Sequence, residues 1–291
     1  MKRMRRVRSA CAALFVLVLG LGVAASVSGA ADNPSSAVIK ERIFNDCGTS
    51  VVTTTNAYPA TVAIGDSALG CAIGWANLHN WSFSKDGVNA QQFLNGRAMK
   101  FSADLLIAGA TEGEAGLRIS PWWSPDVDGR FNIRTSDGEI ACFGGRLPFY
   151  SFTGSQSVTY TKGNPIHLEV IYKPNGLWSG SPATIEYKLV YASTSYTSGP
   201  LAFDQGNPAE DPPHGQWGML QPAYAGGYIQ CLVVAGNNNA QLRATWTDIQ
   251  FEPQPYVPGL GTWGLVALTV LLVGAGAFAM QRRRREAGVA V

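Results

Sequence analysis

Two segments near the middle of the chain alternate regularly between apolar and polar residues. The first is "IHLEVIYK", residues 166–173, and the second is "TIEYKLVY", residues 184–191. A period of two places every second side chain on the same side of an extended strand, and the β-branched and aromatic content fits a half-buried strand. Pro174-Asn175-Gly176 follows the first segment, so we expect the two strands to pair as a hairpin.

The same kind of signal recurs along the chain. Further strands are predicted at residues 130–134, 139–143, 227–234 and 241–251. No long helical period interrupts residues 32–252, so the sequence predicts one all-β domain there, an antiparallel β-sandwich of the jelly-roll type. Residues 32–60 are rich in Ser, Thr and Asn, and we expect them to be partly irregular.

The N-terminus carries an export signal. Five basic residues lie within residues 2–8, and the uncharged stretch 9–31 follows, rich in Leu and Val and closing on Ser28, Gly29, Ala30 and Ala31. A basic region, an apolar region and small residues in this order are typical of a secretory signal peptide, which we predict at residues 1–31. An N-terminal anchor that is not cleaved is the alternative.

The C-terminus carries a second apolar segment. Residues 260–281 contain no charged side chain and no polar face, unlike a core helix. At about 1.5 Å per residue this length crosses a hydrocarbon core of roughly 30 Å. Arg282, Arg283, Arg284 and Arg285 follow and favour the cytoplasmic side. We therefore predict a linker at 253–259, a transmembrane helix at 260–281 and a cytoplasmic basic tail at 282–291, giving a single-pass membrane protein with an exported domain.

The residues just before and inside this apolar segment resemble the sorting signals called IPTL-CTERM, which share their layout with the PEP-CTERM signals of Gram-negative bacteria. The matching positions are Pro258, Leu260, Trp263, Gly264 and Leu265. Gly259 and Gly261 stand where the family usually has Thr and Ser. The resemblance implies a protein of the bacterial cell envelope and a sorting peptidase as partner, with processing of the tail and release to the surface as one outcome. The arginine block argues against a eukaryotic lipid anchor.

The charge balance changes once these ends are set aside. The whole chain has 22 Lys and Arg and 20 Asp and Glu, but nine of the basic residues and one acid lie in the two terminal segments. The remainder has 13 basic and 19 acidic residues, a net charge of −6. Nucleic acid is therefore not an expected partner, because binding it depends on a basic surface.

Four cysteines remain in the exported part, Cys47, Cys71, Cys142 and Cys231. An even number in an exported chain suggests two disulfides, and four cysteines allow three pairings. We favour Cys47–Cys71, which are close in sequence, and Cys142–Cys231, which lie in predicted strands. Free buried thiols or a metal site are the alternatives, although no CxxC pair supports a metal.

Aromatic and acidic residues supply candidate ligand contacts. Trp122 and Trp123, aided by Tyr150 and Trp178, are candidates for stacking on sugar rings, with core packing as the alternative. Asp126 and Asp128, followed by Gly129, are candidate calcium ligands, with a plain turn as the alternative. Calcium is the only cofactor that the sequence suggests.

Catalytic patterns are weak. Glu112 and Glu114 are spaced by two, but neighbouring glycines suggest a loop, and the histidines at 79, 167 and 214 are scattered. No nucleophile–base set is recognisable, so we predict that the protein is not an enzyme.

The strand pattern of residues 95–252 resembles the concanavalin A-like and laminin G-like sandwiches. The segments that carry this resemblance are 129–145, 166–191 and 244–253. It implies a jelly roll that binds glycans or protein surfaces, by analogy of fold alone. The leading hypothesis is therefore a lectin-like module that recognises polysaccharide or matrix. A non-catalytic structural protein is the alternative, and a secreted glycan-acting enzyme comes third.

Overall fold

A computed structural model describes residues 32–67, 70–71, 74–120, 129–205, 217–233, 241–254 and 269–274. The strands in these ranges are β1 Ser36–Phe44, β2 Val51–Ala57, β3 Thr61–Ser67, β4 Gly74–Ser84, β5 Met99–Ala108, β6 Glu112–Ser120, β7 Gly129–Arg134, β8 Ile140–Phe143, β9 Tyr150–Ser151, β10 Ile166–Lys173, β11 Thr184–Tyr191, β12 Thr194–Thr197, β13 Leu201–Ala202, β14 Tyr224–Val233 and β15 Gln241–Pro253. A short helix, α1 Phe152–Gln156, follows β9.

The strands form two antiparallel sheets. The seven-stranded sheet has the order β1-β4-β14-β6-β7-β8-β9. The eight-stranded sheet has the order β12-β11-β10-β5-β15-β3-β2, with β13 also paired to β11. Some neighbouring strands in each sheet are distant in sequence: β4 pairs with β14 in the first sheet, and β5 pairs with β10 and β15 in the second. The prediction of an all-β antiparallel sandwich is confirmed.

Large aromatic side chains join the two sheets. Trp81 of β4 meets Trp246 of β15 with ring centroids 6.1 Å apart, and Phe131 of β7 meets Tyr187 of β11 at 5.6 Å. All four rings are fully or almost fully buried. Their edge-on contacts are the favoured geometry for aromatic pairs, and they make the space between the sheets the hydrophobic core.

The predicted hairpins are present. β10 pairs with β11 in the register Val170 to Tyr187, and β7 pairs with β8 across the turn at residues 135–139. In β10 the apolar residues of the alternation are buried, while His167, Glu169 and Ile171 between them are partly exposed. The expectation that residues 32–60 are partly irregular holds only for the connections, because β1 and β2 occupy most of this range.

The cysteines agree with half of the prediction. Cys47 and Cys71 form a disulfide with their Cα atoms 5.5 Å apart. The predicted Cys142–Cys231 bond is wrong, since both thiols are free and buried. They lie on β8 and β14, which β6 and β7 separate, so about three strand spacings, roughly 14 Å, exceed the reach of a disulfide. Burial raises the pKa of both thiols.

Most of the terminal segments fall outside the described residues. The predicted signal peptide at 1–31, the residues of the sorting motif and the arginine block are all among them. Of the predicted transmembrane segment, residues 269–274 are described and are helical. Within the described ranges, no helix reaches the length and apolar character that crossing a bilayer requires.

Candidate functional site

Strands β6 and β7 of the seven-stranded sheet are buried on both faces. Toward the other sheet, β6 and β7 present apolar side chains such as Leu117 and Phe131. On the opposite side the same strands present Arg118, Arg130 and Asn132, which are also buried. We call this second side the polar face. Its members are Asn80, Ser82, Glu114, Arg118, Arg130, Asn132, Tyr228 and Gln230. Buried polar groups are normally hydrogen-bonded, so we next identify the hydrogen-bond partner of each of these side chains.

Arg118 lies across a glycine. Its strand neighbour is Gly226 of β14, and the next residue in the row is Ser82 of β4. A Cβ at Gly226 would collide with the carbonyl oxygen of Trp81. Without that Cβ, the Arg118 guanidinium donates to the Ser82 hydroxyl, to the Trp81 carbonyl at 3.3 Å and to the Ser120 hydroxyl at 2.6 Å. A cation is thereby fixed flat against the sheet.

The Tyr228 side chain passes over a second glycine, Gly116, and points from β14 toward β7, whereas Arg118 points from β6 toward β4. The row reads Tyr228 of β14, Gly116 of β6 and Asn132 of β7. A Cβ at Gly116 would collide with the carbonyl oxygen of Phe131. The Tyr228 hydroxyl reaches over this gap and donates to Asn132 Oδ1 at 2.6 Å. Two glycines on one face thus leave room for two long polar side chains that lie between strands.

Arg130 is held on three sides. Its Nη1 forms an ion pair with Glu114, its Nη2 donates to Gln230 Oε1 at 3.3 Å, and its guanidinium carbon lies 4.5 Å from the centre of the Tyr228 ring. Burial lowers the pKa of Arg130, although an arginine remains protonated. The ion pair and the aromatic ring both favour the buried cation.

Two donors on the polar face have no acceptor. They are Arg130 Nε and Asn132 Nδ2, both fully shielded from solvent. In the described part of the chain four buried side-chain donors lack an acceptor, and these two lie two residues apart on one strand. An unpaired buried donor costs about 1–3 kcal/mol.

A cleft of about 430 Å³ opens on the same face, beside β1 and β4. Its lining includes Lys40, Asn80, Ser82, Gln92, Arg118 and Tyr224. This volume falls within the usual range for small-molecule sites. Asn80, Ser82 and Arg118 belong both to the cleft and to the polar face, so the two are continuous.

The residues that the sequence nominated for glycan and calcium binding are only partly described. Trp122, Trp123, Asp126 and Asp128 lie in residues 121–128, outside the described ranges; this segment joins β6 to β7, which carry Arg118 and Arg130.

The two nominated aromatic residues that are described lie on separate elements. Tyr150 lies on edge strand β9, packs against Phe152 at 4.9 Å and accepts a hydrogen bond from Gln156. Trp178 lies between β10 and β11 and is 58% exposed. No ring-to-ring contact joins these two among the described side chains.

The acidic and histidine residues have different surroundings from those expected. Glu112 and Glu114 belong to strand β6 and not to a loop. The nearby Gly116 is part of the same strand, where it leaves room for the Tyr228 side chain. Both carboxylates are ion-paired, Glu112 with Lys162 and Glu114 with Arg130. His167 contacts Asp104 on the eight-stranded sheet.

A second buried polar group, the Asp66 cluster, lies between the sheets near the disulfide. Its members are Arg42, Cys47, Ser50, Asp66, Asn77 and His79. The backbone N–H of Arg42 donates to His79 Nδ1 at 2.9 Å, so the proton lies on Nε2, which donates to Asp66 Oδ2 at 3.1 Å. Asn77 Nδ2 donates to the same oxygen at 2.7 Å.

The hydrogen bonds of this cluster govern the charge of Asp66. Burial raises the pKa of Asp66, but hydrogen bonds from His79, Ser50 and Asn77 outweigh burial, and the pKa lies below its ordinary value. Because His79 Nδ1 already accepts a backbone N–H, His79 has no free nitrogen for chemistry. No group of three metal-ligating side chains occurs among the described residues.

Comparisons with known proteins give fold-level likeness only. No family model matches the chain, and no curated protein sequence does either. An alginate lyase from Klebsiella pneumoniae is similar with a TM-score of 0.40 and 9% identity, over 69% of this chain and 84% of that one. Arcelin-5, a lectin-like defense protein from Phaseolus vulgaris, has a TM-score of 0.33 and 8% identity, over 78% and 97%. Likeness this distant transfers neither residues nor activities.

Sequence reasoning missed Arg118, Arg130, Asn132 and Tyr228. A signal was present, since polar residues alternate with apolar ones in "GLRIS" and "RFNIR". Alternation alone is typical of a strand with one solvent-facing side, and it does not indicate that the polar side is buried.

Proposed function

We propose that this protein is a carbohydrate-recognition module and that it binds polysaccharide along the polar face. The observation that carries the proposal is the cleft of about 430 Å³ with a polar lining, which is continuous with the polar face through Asn80, Ser82 and Arg118. Amides, hydroxyls and guanidinium groups are the usual partners of sugar hydroxyls, because they donate and accept in fixed directions.

Trp122 and Trp123 complete this proposal. Their segment, residues 121–128, connects the two strands that carry Arg118 and Arg130. We assign the two indole rings to stacking on the apolar faces of sugar rings, and Asp126 and Asp128 to calcium. Stacked aromatic contacts contribute about 1 kcal/mol each beyond the buried area.

The module acts by binding rather than by turnover. Catalysis on a glycan needs a carboxylate pair or a titratable base at the ligand. Glu112 and Glu114 are ion-paired, and both described histidines lie elsewhere in the fold. The remaining alternative is a structural protein that uses the disulfide-braced sandwich as a building block.

Location follows from the two ends of the chain. Residues 1–31 direct export, residues 260–281 hold the chain in the membrane, and the arginines at 282–285 remain in the cytoplasm. A sorting peptidase then acts at the motif around Pro258, Leu260, Trp263 and Gly264. The protein therefore works at the cell envelope or, after processing, on the cell surface.

Retention on polysaccharides tests this function. The full chain, purified from the cell fraction in which it is found, is applied to a panel of immobilised neutral and acidic polysaccharides. We expect retention on at least one, no release of sugar products, and at least a tenfold loss with the double change Trp122→Ala and Trp123→Ala. Trp178→Ala, which alters an exposed indole in the β10–β11 loop, is the matched control and should retain binding. No retention on any polysaccharide would leave the structural alternative, and released products would overturn binding without turnover.

A further inference from the structure

We propose that strand β2, Val51–Ala57, is a docking edge for a second copy of this chain. The two copies pair antiparallel through β2 about a twofold axis at Thr54, and the eight-stranded sheet continues from one copy into the other. This edge belongs to the sheet opposite the polar face, so the inference goes beyond carbohydrate binding and does not depend on it.

The edges of the two sheets differ in how they are protected. An edge strand leaves alternate backbone N–H and C=O groups without a strand partner, and sheets guard such edges with charges, bulges, prolines or short strands. Of the four edges in the described part of the chain, three are guarded. β1 carries Lys40, Glu41 and Arg42 and an irregular register between Lys40 and Phe44. β9 and β12 are short, with two and four residues.

Strand β2 has none of these protections. Its sequence "VVTTTNA" contains no charged residue and no proline, and all seven residues pair with β3 in unbroken register. No other described strand pairs with it, because β2 ends the order of its sheet. Six of its seven side chains are exposed, including Val51 at 53%. An even, uncharged edge of this length is a ready template for another strand.

The residues of β2 suit pairing with an identical strand. Facing residues in an antiparallel pair point to the same side of the sheet, so a twofold axis between two copies of β2 passes through a residue. An axis at Thr54 pairs all seven residues and sets Thr53 of one copy against Thr55 of the other. It also sets Val51 against Ala57. Cross-strand threonine pairs stabilise antiparallel strands, and no like charges meet in this arrangement.

The charge of the exported domain favours the same edge. Residues outside the two terminal segments have a net charge of −6, so two copies repel each other across most of their surface. β2 is uncharged, and the cation Arg243 of β15 lies beside it, where its Nη2 donates to Thr55 Oγ1 at 3.4 Å. Approach along β2 therefore places uncharged side chains opposite each other.

Sedimentation of the full chain over a range of concentrations tests the pairing, with every variant in the same detergent. We expect an equilibrium between monomer and dimer. Thr53→Lys combined with Thr55→Lys sets like charges against each other across the axis. Thr53→Lys combined with Thr55→Glu sets opposite charges there and is the matched control, so dimerisation of the first variant should be about tenfold weaker. A monomer at every concentration, growth beyond a dimer, or equal dimerisation of the two variants would overturn the proposal.

A cross-link locates the axis, and it decides the matter if a charged variant does not fold. Thr54→Cys brings the introduced thiols of the two copies face to face, with Cα atoms about 4.5–5.5 Å apart, which a disulfide can bridge. Mild oxidation of the full chain should then give a covalent dimer on a non-reducing gel. Ser195→Cys, exposed on edge strand β12, is the matched control and should remain monomeric, like the wild type. Equal yields from the two variants, or no dimer from Thr54→Cys, would overturn the twofold axis at Thr54.

Discussion

The sandwich contains two buried polar clusters, and they differ in whether the hydrogen-bonding atoms left unpaired are acceptors or donors. In the Asp66 cluster the one buried side-chain atom without a partner is an acceptor, Asp66 Oδ1. On the polar face the unpaired atoms are donors, Arg130 Nε and Asn132 Nδ2. Underused acceptors are less rare inside proteins than orphaned donors. The Asp66 cluster is therefore explained as structure, and the polar face is the part of the sandwich to which we assign the proposed ligand.

The location of each cluster supports the same division. The Asp66 cluster lies between the sheets, and Asn77 ties it to Cys47, whose backbone N–H donates to Asn77 Oδ1 at 2.9 Å. The polar face lies on the outer side of its sheet and is continuous with the cleft. Changes in the first cluster should therefore alter stability, while changes in the second should mainly alter binding.

The disulfide gives the largest expected difference. Replacing Cys47 and Cys71 together by Ser opens a link between residues 24 apart in sequence. Chain entropy then stabilises the unfolded state by about 3 kcal/mol. Guanidinium chloride unfolding should show this loss, and polysaccharide retention of the folded variant should be unchanged. Reduction of the wild-type protein is the matched control, and equal unfolding midpoints with and without reductant would contradict the role of the bond.

Asp66→Asn is expected to have an intermediate effect, about 2 kcal/mol at neutral pH, because it removes a charged acceptor in the core. The native pKa of Asp66 lies below its unfolded value, so the carboxylate stabilises the fold above about pH 4 and loses this effect as pH falls further. Unfolding curves between pH 7 and pH 2 should therefore fall less steeply for the variant. Asp104→Asn, on the sheet surface, is the control. Parallel curves for wild type and Asp66→Asn would contradict the assignment.

Tyr228→Phe sharpens the comparison with the smallest change in stability, about 1 kcal/mol for one buried hydrogen bond. Without the hydroxyl, Asn132 loses the contact that orients its amide, so retention on polysaccharide should fall. Tyr160→Phe removes a hydroxyl that donates to the Asn164 carbonyl at 2.8 Å, away from the polar face. It should cost similar stability with no loss of retention. Equal retention in both variants would argue against Asn132 as a contact.

Local patterns predicted local structure well. The alternation in residues 166–173 and 184–191 gave the β10–β11 hairpin, and short separation in sequence led to the Cys47–Cys71 bond. Both depend on neighbours along the chain. The strands β1 and β2 were missed, because the Ser, Thr and Asn content of residues 32–60 suggested irregular structure, although the Val and Thr residues of β2 favour a strand.

The order of the strands within each sheet could not be predicted from the sequence. Cys142 and Cys231 were each placed correctly in strands, but strand pattern does not state which strands are neighbours, and β6 and β7 separate them. The candidate site has the same origin. Arg118, Arg130 and Tyr228 converge only because β14 inserts between β4 and β6, a long-range pairing that no local window contains.

The two unpaired cysteines have a consequence for how the protein is made. An unfolded chain in an oxidising compartment exposes four thiols from this domain, which allow three fully paired arrangements, whereas the native fold uses one bond. Once the sheets close, burial raises the pKa of Cys142 and Cys231 and withholds their thiolates from exchange. The yield of correctly bonded protein therefore depends on whether the sandwich folds faster than the cysteines oxidise. Recombinant preparation should fold the protein under mild reduction first and admit oxidant afterwards.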